Sequence, residues 1–420
     1  MTDTGLGDAA VFDPFEEGYV DSPYAQYARL RSGDPVHRSA LLHGWVVTRF
    51  ADVSKLLRDS SISSDIHNAT PNPLTTMELE RLAERSRASE TIVLMDDPDH
   101  ARIRKLMAEP FRPREIERLR ERVTERIHGA LDALREQRGS GVIELDLVTD
   151  FAYPLPVEIF SEMLGVPDED HARFRYLSTQ VAKTVDPVMT SAEREECFAA
   201  LDEMYDYLVR QAADKREHPA DDLMSALVHA ADDDGIPFTD GELIAQLVTL
   251  YLAGHEPVAS LLGAGTLALL QAPDQLAKLK ADPTLVRNAV HELLRFDGPN
   301  HFMRRITTQP TTVGDVALPA GEVLYVSPAA ANRDSDRWGA TADQVVVDRP
   351  DASQHLQFGA GAHACLGSHL ARLQAEIAFD AIFARLDDPQ LAGEPVWGGR
   401  LFIRGLDSLP MTCTIRERAS

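Results

Sequence analysis

The feature that most restricts this chain is a helical period. In "IERLRERVTERIHGALDAL", Ile116, Leu119, Val123, Ile127, Leu131 and Leu134 recur every three or four residues and form one apolar stripe. Pro113 before the stripe fits a helix start, and Gly139 after it fits a stop. The same pattern predicts helices over roughly 146–164, 191–215, 240–271, 284–296 and 366–386. Strand-like pieces are short: "GWVVTRF" near 44–50, "TTVGDVALPAGEVLYVS" near 311–327, and the tail "LPMTCTI". The second reads as a hairpin or small sheet turning at Pro319-Ala320-Gly321. Two stretches, 60–95 and 328–365, carry no clean period, and loops that long inside a compact domain are usually functional. Nothing suggests a strand–helix alternation with a parallel sheet. The expected fold class is mainly α with small β-sheets.

A chain of 420 residues ordinarily suggests two or three domains, but no Pro/Gly/Ser-rich linker separates any. One large domain over 1–420 is expected. The 67 acidic against 42 basic residues give a net charge of −25, which repels nucleic acid and anionic membranes. Three distant cysteines, Cys197, Cys365 and Cys413, suit a reducing cytoplasm better than a disulfide framework. The first residues lack the basic and apolar regions of a leader peptide. No run reaches the roughly 18–20 apolar residues that span a bilayer. A cytoplasmic monomer is the expectation.

The densest signal is "HLQFGAGAHACLGSHLARLQAEIAF", residues 355–379. Its glycines let backbone approach a ligand closely, and Cys365 stands just ahead of a predicted helix, where unpaired N–H groups favour thiolate. Four readings compete. A buried structural cysteine is the common fate of a lone cysteine. A nucleotide loop fails, because Ala364 replaces the third glycine of the fingerprint. Zinc would need Cys365 with His355, His363 or His369, a poor spacing without a second cysteine. The last is a haem iron held by one axial thiolate.

Phe-Gly-x-Gly-x-His-x-Cys-Leu-Gly-x-x-Leu-Ala-Arg, from Phe358 to Arg372, resembles the haem-binding loop of the cytochrome P-450 family at all fifteen positions. The resemblance implies that fold, haem b as cofactor, Cys365 as iron ligand, and Phe358, Gly359 and Gly367 as parts of the cradle. "HELLR" (291–295) places Glu292 and Arg295 on one helical face, where they can pair. Alone, such a pair is usually a surface salt bridge. In the family it is a buried lock completed by a further arginine, here Arg349, although Val345-Val346 replace the usual Phe-Asp before it. In "MDDPDHARIRKLM", His100 and Arg104 lie four apart and point the same way. The resemblance makes them donors to a haem propionate, with Arg305 and His363 as the other contacts and Arg304 as a rival to Arg305.

The predicted helix over 240–271 then corresponds to the family's long helix across the oxygen-binding face. Its signature, Ala-Gly-x-Glu/Asp-Thr, reads Ala253-Gly254-His255-Glu256-Pro257 here. The acid is present; the alcohol, which in the family helps deliver the proton that splits dioxygen, is missing. Proline has no N–H, so the Ala253 carbonyl is freed and the helix is expected to kink. Three outcomes follow: hydroxylation or epoxidation with altered proton supply, oxidative C–C or C–N coupling or ring formation without oxygen insertion, and a haem binder without turnover.

By family position, the pocket draws on the 60–95 loop, the "DPVMTSAE" turn, Thr249 and Leu252, Asn300, His301, Phe302 and Met303, and Phe402 with Ile403. Asn300 and His301 are the polar candidates, with His255 a third. A mid-sized, partly polar natural-product intermediate would suit it. With no flavin or nicotinamide motif, electrons are expected from a ferredoxin and its reductase. The basic run Arg102, Arg104, Lys105, Arg112, Arg114, Arg118, Arg120, Arg122 and Arg126 has two readings, a salt-bridged helix surface or a docking face for an acidic ferredoxin, the latter with Arg112 and Arg114 foremost.

Overall fold

Among the described residues, the helices of six or more residues are α1 (Tyr24–Gly33), α2 (Phe50–Arg58), α3 (Asp99–Ala108), α4 (Pro113–Arg118), α5 (Arg120–Arg138), α6 (Pro154–Leu164), α7 (His171–Ala182), α8 (Ser191–Glu217), α9 (Leu223–Val228), α10 (Asp240–Leu270), α11 (Pro273–Ala281), α12 (Val286–Asp297) and α13 (Ser368–Arg385). The structure, a computed structural model, describes residues 11–71, 91–182 and 190–418. The chain folds as mainly α with small β-sheets.

The long helix α10 is the centre of the packing. A capping box between Thr239 and Glu242 starts it, satisfying two of the amides that a helix start leaves open. Its buried residues lie on nearly every side, and α6, α8, α12 and α13 pack against it. They share one apolar core that runs from Ile92 to Ile415. Pro257 does not divide the helix, which is continuous from Asp240 to Leu270. Packing on all sides outweighs the cost of the proline, about 3 kcal/mol.

Beside this helical body lies a sheet in the order β1 (Val36–Ser39), β2 (Gly44–Val47), β8 (Val323–Val326), β5 (Met303–Thr307), β3 (Ile62–Ser63). Only β2 and β8 run parallel in it. Successive side chains leave a strand on opposite faces. Val323, Tyr325 and Ile306 accordingly join one apolar cluster, and Leu324 and Val326 another. The other strands are β4 (Val142–Asp146), β6 (Thr311–Val313), β7 (Val316–Leu318), β9 (Leu386–Leu391), β10 (Val396–Trp397), β11 (Leu406–Ser408) and β12 (Pro410–Ile415).

Three local expectations change. The stripe from Ile116 is split: the Leu119 amide bonds to the Ile116 carbonyl, three residues back, and α5 starts afresh. The helix expected from 146 begins at Pro154, after strand β4 and a π-turn over Val148–Ala152. The Asp146 carboxylate takes the amides of Val148 and Thr149 and so turns the chain there. Finally, the tight hairpin joins β6 and β7 at Gly314, with φ +56°, rather than at Pro319-Ala320-Gly321. After that second turn β8 leaves to pair with β2 and β5.

Candidate functional site

The loop before α13 is held by its own backbone. The Cys365 amide donates to the Phe358 carbonyl at 2.8 Å. Gly359 and Gly361 have φ of +65° and +73°, which disfavour a side chain. A Cβ at Gly361 would also lie 2.6 Å from the Leu57 carbonyl oxygen, so the loop sits against the end of α2 only because that residue is glycine. The Phe358 ring packs against His355, 5.4 Å between centroids.

Cys365 is an exposed free thiol in the protein alone. The surrounding protein atoms favour the neutral thiol, while the Gly367 amide, Arg104 and Arg372 favour the thiolate. A bound metal cation would deprotonate it outright, as it does any coordinated thiol.

Beside the cysteine, four basic side chains gather with little acid to neutralise them. Arg104 donates to the Ala364 carbonyl at 2.7 Å. The His100 and His363 rings lie 4.1 Å apart at 39°. His100 is buried, with Nδ1 3.4 Å from Asp97 and Nε2 unpartnered. Burial lowers the His100 pKa and brings His363 down to about 4. Arg305 is buried and donates to the Arg304 carbonyl, with its pKa brought down to about 10 by burial against the pull of Asp96. Asp96 is itself occupied by the Ser63 hydroxyl and the Ser64 amide. An unpartnered imidazole nitrogen and an undercompensated arginine are the donor set that carboxylates require. The residues present thus fit a group that offers one soft-metal position and two carboxylates, as haem does.

Glu292, Arg295 and Arg349 meet in the core. Arg295 binds both carboxylate oxygens of Glu292 at 2.7 and 2.8 Å, and Arg349 Nε approaches the same oxygens at 3.0 and 3.2 Å. Arg295 also donates to the carbonyls of Asn332, Ala342 and Gln344. The trio ties α12 to the irregular 328–349 segment. Val346 needs no acid of its own, because its amide donates to Glu292 at 2.9 Å.

On α10, Thr249, Leu252, Gly254 and Pro257 are partly buried and Ala253 is exposed, within an otherwise buried helix. The Thr249 hydroxyl bonds back to the Ala245 carbonyl. Gly254 abuts α6: a Cβ there would lie 2.6 Å from the Phe160 ring. His255 is fully buried, bonded through Nδ1 to the Tyr251 carbonyl at 2.7 Å and edge-on to Tyr153, so it is a core residue and not a pocket one. Glu256 is buried too, and Arg400 Nε lies 3.6 Å from its carboxylate. Arg400 in turn binds Asp407 at 2.8 Å.

Several pocket expectations are corrected. Asn300 exchanges hydrogen bonds with Gln357, both its amide groups being used. His301 is buried against Tyr27, whose hydroxyl is 2.9 Å from Nδ1. The Phe302 ring packs edge-on to Phe12 and Tyr27. His301 and Phe302 thus serve the junction with the N-terminal segment, and Asn300 the joint with the loop before Cys365. Phe402 and Ile403 stay partly buried, with Phe402 against Phe302 and Tyr325. Residues 72–90 of the expected 60–95 loop and 186–189 of the "DPVMTSAE" turn lie outside the described residues.

The basic run is largely neutralised as a docking face. Arg102, Lys105, Arg112, Arg118, Arg120, Arg122 and Arg126 pair with Glu242, Asp233, Glu109, Glu115, Glu117 and Glu162. A cleft of about 580 Å³ opens instead beside Cys365. Arg58, His291, His355 and Arg372 line it together with Ser54 and Ser368, and no acidic side chain does.

Sequence reasoning missed Arg400, although its place directly after the Gly398-Gly399 pair in "WGGRLFIRG" marks a residue given room. It also missed Gln246, whose side chain takes the Ile92 amide at 2.8 Å and pins the 91–95 segment to α10.

A helical protein with a cysteine cradle, a carboxylate-seeking cluster of arginines and histidines and a long central helix defines the class of the haem-thiolate proteins. The sequence model of the family "Cytochrome P450" matches residues 75–387. Vitamin D(3) 25-hydroxylase of Pseudonocardia autotrophica is 36% identical over 408 residues, 95% of this chain and 96% of that protein. Cytochrome P450 monooxygenase PikC of Streptomyces venezuelae is 37% identical over 403 residues, 94% of this chain and 92% of that protein. The solved structure of the bacillaene polyketide synthase cytochrome P450 PksS of Bacillus subtilis superposes with a TM-score of 0.86 at 32% identity, covering 97% and 100% of the two chains. The chain belongs to the cytochrome P450 family and is an enzyme of that class. Among the described residues no helix is long and apolar enough to cross a membrane.

Proposed function

We propose that this protein holds haem b through Cys365 and oxidises a small natural-product intermediate by hydroxylation or epoxidation in the cytoplasm. The bound group supplies one-electron chemistry and dioxygen activation, which side chains cannot. The observation that carries the reading is the undercompensated cluster of His100, Arg104, Arg305 and His363 beside Cys365. Arg305 and the two histidines bind the carboxylates, while Arg104 also braces the cysteine loop through Ala364. The open strip of Thr249, Leu252, Ala253 and Pro257 faces the substrate.

Pro257 has neither hydroxyl nor N–H, so proton supply differs from the family's usual route. A water held by the Glu256 carboxylate or the Ala253 carbonyl, or a hydroxyl or amide of the substrate, gives the proton. That same loss favours a second reading, oxidative coupling or ring formation, in which no oxygen is inserted and substrate radicals join. A ferredoxin with its reductase delivers electrons at the cleft beside Cys365, where Arg58 and Arg372 and the lack of acidic lining suit an acidic partner on an otherwise acidic protein.

Two experiments test this. The reduced, carbon monoxide-treated protein should give the red-shifted Soret band of a thiolate ligand, and Cys365→Ser should abolish it; persistence of the band in the variant refutes the ligand. Product masses then separate the readings, gain of one oxygen meaning insertion and loss of two hydrogens meaning coupling.

A further inference from the structure

Arg304 is a partly buried cation that the carboxylate cluster leaves unused. It lies on β5 directly opposite Tyr325 of β8, and residues opposed in an antiparallel pair share a face. Arg305 opposes Leu324 and so lies on the other face, with His363 and Asp96 in its electrostatic neighbourhood. Arg304 therefore turns away from the propionate donors. Its face is that of the apolar cluster holding Ile66, Ile306, Tyr325 and Leu401, against which Phe402 packs. The Tyr325 and Phe402 rings are 5.8 Å apart.

Among the described residues the Arg304 guanidinium makes no hydrogen bond and no ion pair, and its Nε is buried without a partner. Other deeply placed arginines behave differently: Arg295, Arg349 and Arg404 bind carboxylates, while Arg305 belongs to the propionate-seeking cluster. Burial lowers the Arg304 pKa, and Tyr325 is the group that opposes this. Leaving a guanidinium desolvated and unpaired is unfavourable, so its retention calls for an anion that arrives with a ligand. The residue remains partly open, which gives such an anion access.

We propose that Arg304, with Tyr325 opposite it, is the carboxylate anchor for an acidic substrate with an apolar body. The guanidinium presents two parallel N–H donors that match a carboxylate, and the phenol adds an O–H donor. Leu401, Phe402 and Ile66 receive the apolar part. The inference rests on the haem-thiolate reading of Cys365, because it names the substrate class for that site.

The test uses the full haem-loaded chain with dodecanoic acid and dodecan-1-ol as a matched pair, titrated by calorimetry and by the haem absorbance shift. The wild type should bind the acid about 10- to 100-fold more tightly than the alcohol, as expected for a charge-assisted pair. Added salt should reduce that preference, Arg304→Gln should erase it, and Tyr325→Phe should weaken it. Arg304→Gln should melt no lower than the wild type, since no protein partner is lost. Retained acid preference in Arg304→Gln overturns the proposal, and so does a wild type that prefers neither probe or binds neither. Loss of haem from Arg304→Gln with its preference intact would assign the residue to a propionate, and the proposal falls. The carbon monoxide spectrum of both proteins reports the thiolate separately, so a normal band without acid preference sinks the anchor alone.

Discussion

Replacing Glu292 by glutamine tests whether the buried trio holds the haem side of the fold together. One carboxylate faces two guanidinium groups there, with all three side chains buried. Glu292→Gln leaves two cations facing each other and deprives Arg295 Nε, Arg295 Nη2, Arg349 Nε and the Val346 amide of a charged acceptor. Breaking a buried ion pair on one side costs about 3–5 kcal/mol. A chain of 420 residues unfolds with about 2.1 cal/mol/K per residue, so the melting temperature should fall by about 3–6 °C. Arg349→Met is the control: it removes a cation and leaves Glu292 and Arg295 as a neutral pair. Its loss of charge-assisted bonds should cost about 1.5–3 kcal/mol, or about 2–3 °C. Both are read by scanning calorimetry at equal haem content. A Glu292→Gln protein melting within about 1 °C of the wild type, or an Arg349→Met protein melting lower still, would refute the charge argument.

Three further outcomes follow from other contacts. Gly254→Val places carbon against the Phe160 ring, where even a Cβ lies at 2.6 Å, and should cost about 1–3 kcal/mol by overpacking α10 against α6; unchanged urea resistance would contradict it. Burial, aided by Arg404, holds the His301 pKa down to about 3. The unfolded histidine takes a proton near pH ~6.5, so the stability is fully present above that and falls as pH drops toward 3, by at most about 1.4 kcal/mol per pH unit. His301→Asn should flatten that acid limb by one proton, and an equal slope in both proteins would count against it. Pro257→Thr restores an amide to the Ala253 carbonyl and should raise stability by about 1–3 kcal/mol. The same variant should lower peroxide leakage if the hydroxyl limits proton supply; higher stability with undiminished leakage would separate the two effects.

What was legible in the sequence depended on how local the cause was. The stripe from Ile116 to Leu134 and the capped run of α10 carry their period in the residues themselves, and both became helices. Helix α1 did not declare itself, because "YAQYARLRSG" buries Tyr24, Gln26 and Tyr27 alongside a single leucine. Tyr24 is held there by Asp297, 273 positions away, a contact no window of sequence contains. The cysteine loop was readable because fifteen contiguous positions carry it. The pocket was not, since Asn300 and His301 look like polar lining until Gln357 and Tyr27 claim them. Likewise the arginines of α4 and α5 looked like one basic face until their glutamates, three residues away or across on α6, were in place.

Pro257 separates geometry from chemistry in the central helix. The helix survives its proline, and the reason is packing: fully burying one leucine contributes about 1.5–3 kcal/mol, so two of the buried leucines of α10 offset the loss. What distinguishes position 257 from threonine is a missing hydroxyl and a missing N–H, while Glu256 one residue before it remains buried. Its partner is Arg400, from the segment between β10 and β11, and Arg400 reaches Asp407, which is half exposed. The acid on α10 is thus tied to the C-terminal segment that also carries Phe402 and Ile403. On the proposed reading, movement of that segment on substrate binding shifts the charge beside Glu256, and proton supply and substrate fit then share one structural element.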